Sequence, residues 1–250
     1  MKNKIVAVIP ARGGSKGIVK KNLQKLKGRP LISITVRTAL DSNVNEVWTS
    51  TDSKEISDAA LDAGAKATVR RPAELCKDDS NSEEALLHFA EKVEFDTLVF
   101  LQCTSPLTTS EDINGALDLF ATGKYDSVLS VCKDSGGWHC GGFTWKREIR
   151  LPEYEGTSYQ TAVRETTYSH QRQDMEDRFR ENGAIYVTSR DNLLKSKSRL
   201  SGKIGLYVMP QSRSFEIDEP EDLETLRRYL AYKEPTVLVY RPAEEKVDIL

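Results

Sequence analysis

The residues best suited to chemistry sit close together near the start of the chain. Arg12-Gly13-Gly14-Ser15-Lys16-Gly17-Ile18 is followed by Lys20-Lys21-Asn22, and all of it comes directly after the apolar run Ile5-Val-Ala-Val-Ile9 and Pro10-Ala11. Glycines in such a loop permit positive φ and let backbone N–H groups approach an anion closely. Arg12, Lys16 and Lys21 add cationic side chains, which completes the parts of a polyphosphate cradle. The loop matches neither GxxxxGK followed by Ser or Thr nor GxGxxG, so the familiar nucleotide fingerprints do not apply. The same residues could form a Gly-rich turn with solvated lysines. Their position just after a buried strand favours the anion.

Other candidates are scattered, and each has a structural alternative. Glu216 and Asp218 in Ser214-Phe-Glu-Ile-Asp218 alternate along an extended segment, so both carboxylates can point the same way. Asp218-Glu-Pro-Glu-Asp222 also reads as a helix start, with Pro220 in the first turn and carboxylates meeting the helix dipole. Ser82, followed by Glu83 and Glu84, is placed to cap a helix. Gln102-Cys-Thr-Ser-Pro106 makes a polar turn stopped by proline, with Ser110 as the next cap. Arg172, Asp174, Glu176, Asp177, Arg178, Arg180 and Glu181 could form a salt-bridged surface. The three histidines form no cluster; His139-Cys140 lies in a Gly-rich loop and reads as structural, and no Ser–His–Asp triad has a spacing signal.

The elements that must position these groups alternate. Strands are predicted at Ile5–Ile9, Glu46–Ser50, Lys66–Arg70, Thr97–Gln102, Ser127–Val131, Gly183–Val187 and Ile204–Met209. Helices are predicted at about 31–41, 53–63, 82–93 and 110–122, with a last one from Pro220. Leu31, Ile34, Thr35 and Thr38 recur at helical spacing, as do Ala85, Leu86, Phe89 and Val93. This alternation predicts an α/β fold with a mainly parallel twisted sheet and helices on both faces, binding its ligand beyond the carboxyl ends of the strands. The rhythm breaks at Asp134. Residues 1–133 and 181–232 are therefore taken as the core, 134–180 as an inserted lid or dimerisation lobe, and 233–250 as a tail without a readable role.

Composition narrows the class. The chain has 250 residues, 36 basic and 38 acidic side chains and a formal net charge of -2, so no nucleic-acid or membrane surface is expected. Anions must be met by locally placed Lys and Arg. No stretch reaches transmembrane length, and the short run Ile5–Ile9 reads as a strand rather than a leader. The four cysteines (Cys76, Cys103, Cys132 and Cys140) form no CxxC pair and are expected as reduced thiols in a cytoplasmic protein.

The ordered motifs resemble one family. Ile9-Pro-Ala-Arg-Gly-Gly-Ser-Lys-Gly-Ile18 with Lys21-Asn22 is similar to the opening signature of the CMP-sialic acid synthetases (acylneuraminate cytidylyltransferases). The resemblance continues through Ser50-Thr-Asp52, Arg70-Arg-Pro-Ala-Glu-Leu75, Gln102-Cys-Thr-Ser-Pro106, Arg172-Gln173, Arg180-Glu-Asn-Gly-Ala-Ile-Tyr186 and Ile217-Asp218, covering roughly residues 4–230. It implies a Rossmann-like nucleotidyltransferase in which a sugar's anomeric hydroxyl attacks the α-phosphate of CTP and pyrophosphate leaves. Such transfer depends on positioning and charge neutralisation.

The resemblance also implies roles for particular residues. Arg12, Gly13, Gly14, Ser15 and Lys16 would hold the phosphates, Lys21 and Asn22 phosphate or base, and Arg71 and Ser82 the base and ribose. Gln102, Thr104 and Ser105 would border the sugar, while Arg172, Gln173, Arg180 and Asn182 would meet its carboxylate or the transition-state charge. Asp218 and Glu216 would hold Mg2+, which accepts a few carboxylates together with phosphate oxygens. A homodimer is implied as well. Two departures stand out: Gln171-Arg172-Gln173 replaces the family's frequent Arg-Arg-Gln, and Glu216 stands where many members carry Asp. The alternatives are a CMP-legionaminate, CMP-pseudaminate, CMP-KDN or CMP-Kdo synthetase, or a non-catalytic nucleotide-binding protein.

Overall fold

The computed structural model describes residues 3–77, 80–134, 144–145 and 178–233. Its main sheet contains β1 (Ile5–Pro10), β4 (Glu46–Thr51), β5 (Ala67–Arg70), β6 (Thr97–Leu101), β7 (Ser127–Asp134), β8 (Thr144–Trp145), β9 (Arg178–Ser189) and β10 (Ile204–Met209). The order is β10-β7-β9-β6-β1-β4-β5, with β8 beside β9. A small ribbon pairs β2 (Lys25–Leu26) with β3 (Arg29–Pro30). Neighbours β1, β4, β5 and β6 run parallel, as do β7 and β10, whereas β9 is antiparallel to β6 and to β7. The sheet is therefore mainly parallel with one reversed strand.

Alternation along β1 explains the layers. Ala7 and Ile9 belong to a core that includes Leu31, Ile32 and Val36 of α1 (Leu31–Leu40), Ile56 and Ala60 of α2 (Lys54–Asp62), Ile113 and Ala116 of α4 (Ser110–Ala121), and Leu223 and Leu226 of α6 (Pro220–Lys233). Val6 and Val8 point the other way, towards Leu86 and Phe89 of α3 (Ser82–Lys92) and Leu193 of α5 (Arg190–Ser196). Both faces are covered, as the short apolar strands require.

Two helix starts differ from the sequence reading. Asn81, not Ser82, caps α3, its side chain accepting from Glu84 N–H at 2.9 Å. Thr109, not Ser110, caps α4, in a capping box closed by Asp112, whose carboxylate accepts from Thr109 N–H at 3.1 Å. In each case the residue just before the expected cap offers an oxygen with the right reach, and the local sequence holds both options.

β9 also starts earlier than its apolar run indicates. Phe179-Arg-Glu-Asn182 has a mostly polar pattern, but Arg178–Glu181 finds a ladder partner in Val131–Asp134 of β7. Tertiary pairing overrides a weak local signal there. The sequence-defined lobe 134–180 is outside the described residues except at its ends and at 144–145, as is the tail beyond 233.

Candidate active site

The order β5-β4-β1-β6 leaves β1 between strands reached by crossovers in opposite directions, the arrangement that opens a crevice beyond the carboxyl ends. The loops after β1, β4, β5, β6 and β10 emerge on this edge, together with the amino end of antiparallel β9. Most of the nucleotide-side candidates gather here because the topology brings these ends together.

The first loop is held by backbone and side chain. Ala11 N–H continues the β1–β4 pairing to Ser50 O at 2.9 Å, and Gly13 N–H donates to Asp52 Oδ1 at 2.7 Å. Arg12 Nη1 donates to Lys77 O at 2.7 Å, while the Asn22 amide donates to Arg12 O at 3.0 Å. The chain then turns through Lys20 at φ 49 into a 3-10 turn, Lys21–Leu23. At Gly17 the loop passes so close to the Asp218 backbone that a β-carbon would lie 2.8 Å from its carbonyl oxygen. Glycine is required there by contact, not only by flexibility.

Beneath this loop is a cleft of about 350 Å³ lined by Arg12, Ser15, Lys16, Lys21, Asn22, Arg71 and Ser82. These are most of the nucleotide-side residues expected from sequence. Asn81 and Ser82 bring the amino end of α3 to the same cleft, adding backbone N–H groups and the positive end of a helix dipole. Arg71 is buried, donating to Ser50 O at 2.9 Å and to Ser50 Oγ at 3.3 Å. Burial lowers its pKa, an effect opposed by Cys76 and Asp52 beside it. Asp52, to which the sequence reading gave no role, therefore both fixes Gly13 and sits beside Arg71. Its signal was a charged residue just beyond the end of a buried strand.

The carboxylate pair lies against the loop, beside Gly17 and Lys21. Lys21 Nζ lies 3.0 Å from Asp218 Oδ1. Ile217 points into the core and its N–H donates to Thr104 O at 2.8 Å, which leaves Glu216 and Asp218 on the opposite side of the segment. Glu216 is pushed up to about 7 by burial and by the charge of Asp218, against the opposing pull of Lys21 and a hydrogen bond from Thr104. Thr104 Oγ1 is 3.4 Å from Glu216 Oε1 and 3.3 Å from Gln102 Oε1, so the turn after β6 abuts the pair.

The sugar-side candidates separate. Gln102 and Thr104 join the carboxylate cluster. Ser105 is buried and lines a cavity of about 10 Å³ with Thr35 and Thr38, under the turn rather than on its open side. Arg180 is exposed on β9, between Cys132 of β7 and Thr144 of β8. Asn182 is 3% exposed and its amide is engaged inside the protein, by Ser130, Ser214 and Met209. Arg172 and Gln173 lie outside the described residues. Cys103 is buried, which raises its thiol to about 12 and leaves it inert, and Cys76, Cys103 and Cys132 are unpaired.

The chain as a whole has parallels among known proteins. The cytidylyltransferase family model matches residues 6–245. The chain belongs to that family. It is 37% identical over 213 residues to N-acylneuraminate cytidylyltransferase B of Danio rerio, covering 85% of this chain and 48% of that one. It is 32% identical over 229 residues to the N-acylneuraminate cytidylyltransferase of Escherichia coli O18:K1:H7, covering 90% and 51%. The chain thus spans about half the length of these relatives. Among solved structures, a CMP:2-keto-3-deoxy-manno-octonic acid synthetase complexed with CTP matches with a TM-score of 0.71 at 21% identity, over 92% of this chain and 100% of that one. At that identity the likeness establishes the cytidylyltransferase fold. No helix among the described residues is long and apolar enough to cross a membrane.

Proposed function

We propose that this cytidylyltransferase transfers CMP from CTP to the anomeric hydroxyl of N-acetylneuraminic acid or a closely related nonulosonic acid. The observation that carries the reading is the cleft lined by cationic Arg12, Lys16 and Lys21, with Lys21 bonded to Asp218 of the neighbouring Glu216–Asp218 pair. The names of the relatives support the sialic-acid substrate. In the reaction the sugar oxygen forms a bond to the α-phosphorus, the bond from that phosphorus to the pyrophosphate oxygen breaks, and the hydroxyl proton is released. Arg12, Lys16, Lys21 and the α3 amino end would neutralise the triphosphate, and Arg71 and Ser82 would orient the nucleoside. Gln102 and Thr104 would border the acceptor sugar, with Arg172, Gln173 and Arg180 meeting its carboxylate.

Magnesium fits the residues present. Glu216 and Asp218 lie next to Lys21 at the side of the cleft, and burial together with mutual repulsion opposes ionisation of Glu216, which a divalent cation would offset. Asp218 and Glu216 would hold the ion, which would supply charge neutralisation at the phosphates. The reading further places the protein in the cytoplasm as a homodimer, testable by light scattering in solution.

Pyrophosphate release from CTP and Mg2+ should be measured with N-acetylneuraminate, legionaminate, pseudaminate, deaminated neuraminate and Kdo. Release with N-acetylneuraminate supports the proposal. Release with only another sugar moves the substrate, and release with none removes the transferase reading.

A further inference from the structure

The reversed strand β9 does not pair evenly with β7. Leu129 is opposite Tyr186 but Val131 is opposite Glu181, so residues 182–185 of β9 bulge against Ser130. Ser130 occupies the gap, its hydroxyl accepting from Ile185 N–H at 2.8 Å and donating to Asn182 Oδ1 at 2.6 Å. From the bulge, Asn182 Nδ2 donates to Ser214 Oγ at 2.8 Å and approaches Met209 Sδ at 3.2 Å. Ser214 in turn donates to Pro210 O at 3.0 Å. Ser130, Asn182 and Ser214 are all buried. This polar network therefore links the bulge to the start of the segment that carries Glu216 and Asp218.

The next residue of the bulge meets that segment again. Gly183 adopts φ +65, and a β-carbon there would lie 2.8 Å from Glu216 Oε1 and 3.1 Å from its Cδ and Oε2. The same oxygen, Oε1, also lies 3.4 Å from Thr104 Oγ1. A side chain at 183 would push the carboxylate away, and because the displaced atoms are the tip of a flexible side chain the fold would yield cheaply.

We propose that the Asn182–Gly183 bulge, filled by Ser130, is a positioning device for the carboxylate pair. Asn182 anchors Ser214, and the missing β-carbon of Gly183 sets where the Glu216 carboxylate rests beside the cleft. The inference rests on the reading of Glu216 and Asp218 as cation-holding residues. It makes Asn182 and Gly183 positioning residues that act through Glu216, not sugar ligands.

The test is a double-mutant cycle read by Mn2+ binding, with CTP present and no sugar, using electron paramagnetic resonance. Gly183→Ala should weaken Mn2+ binding at least about tenfold, as expected when support of a metal ligand is lost. The strain of positive φ is common to any background, whereas the clash is not. In a Glu216→Asp background, whose shorter side chain clears the space, the same substitution should cost less than about threefold. Ser214→Ala, which cuts the Asn182 link without a bulkier side chain, should weaken Mn2+ binding about tenfold while leaving CTP affinity in EDTA unchanged. Equal losses from Gly183→Ala in both backgrounds, or Mn2+ binding unaltered by Gly183→Ala or Ser214→Ala, would overturn the proposal. Pyrophosphate release by the unaltered protein decides the transferase reading separately, since the Mn2+ cycle needs no sugar and no turnover.

Discussion

Lys21 Nζ donates to Asp218 Oδ1 at 3.0 Å across 197 positions of sequence, joining the loop after the first strand to the segment before the last helix. Lys21 is largely enclosed, whereas Asp218 is mostly exposed, so the contact stabilises the fold little. It sets the Lys21 cation between the cleft and the carboxylate pair. Lys21→Met should lower kcat/KM for CTP by about 100-fold or more. Stability should change by less than about 1 kcal/mol. Steady-state kinetics and thermal unfolding on the same preparation separate the two effects.

Asp52 accepts the Gly13 N–H at 2.7 Å, which fixes the backbone of the loop before any ligand arrives. Asp52→Ala releases that N–H and removes the negative charge beside Arg71. The loop must then be ordered when the nucleotide binds, so CTP affinity measured by calorimetry should fall about tenfold, corresponding to one charge-assisted hydrogen bond. An unchanged affinity would show that the loop is set without Asp52.

The 3-10 turn Gln211–Arg213, just ahead of the carboxylate segment, is tied to α4 through one ion pair. Arg213 donates to both oxygens of Asp112, from Nε at 2.8 Å and Nη2 at 2.7 Å, and Asp112 is fully buried. Burial alone would raise the Asp112 pKa, but Arg213 and the Thr109 N–H outweigh it and hold the carboxyl below its ordinary value. A depressed folded pKa contributes stability above the unfolded value, near 3.9, and loses it as pH falls through the folded pKa. Arg213→Met reverses the balance and leaves a buried carboxylate whose ionisation is opposed. That variant should be destabilised by about 2 kcal/mol at pH 7, towards the low side for a broken buried pair because Arg213 is partly exposed. Its deficit should shrink towards pH 4 as Asp112 takes up a proton. Urea unfolding at both pH values reads the sign directly.

Seven strands of the main sheet, most helices and the Gly-rich loop after β1 are legible in the sequence because each is encoded locally, whereas β8 and the β2–β3 ribbon are not. Ile5–Ile9 followed by Gly13-Gly14 and Lys16 announces a buried strand and a Gly-rich cationic loop within a few residues. The role of Asp52 needs the β1–β4 pairing, and that of Asn182 needs the bulge opposite Ser130 and the approach of Ser214. The family resemblance alone assigns Asn182 to the sugar; its burial and its bonds to Ser130 and Ser214 become visible only in the fold. The one trace of this in sequence is Ser130, a hydroxyl amid the apolar Val128-Leu-Ser-Val131 run. The pairing of Asp112 with Arg213 has no local signal at all.

The two candidate caps of α3 make opposite predictions. Asn81 accepts the Glu84 N–H at 2.9 Å, while Ser82, already in the first turn, lines the cleft with Arg12, Lys16 and Lys21. Asn81→Ala removes the cap and should cost about 1 kcal/mol of stability. Ser82→Ala leaves the cap intact, so unfolding should change by less than about 0.5 kcal/mol. If its hydroxyl meets the nucleoside, however, CTP affinity should fall about fivefold, the worth of one neutral hydrogen bond. Chemical denaturation and CTP titration of the two variants give four values. A large stability loss in Ser82→Ala with none in Asn81→Ala would return the cap to Ser82 and withdraw its hydroxyl from the nucleotide.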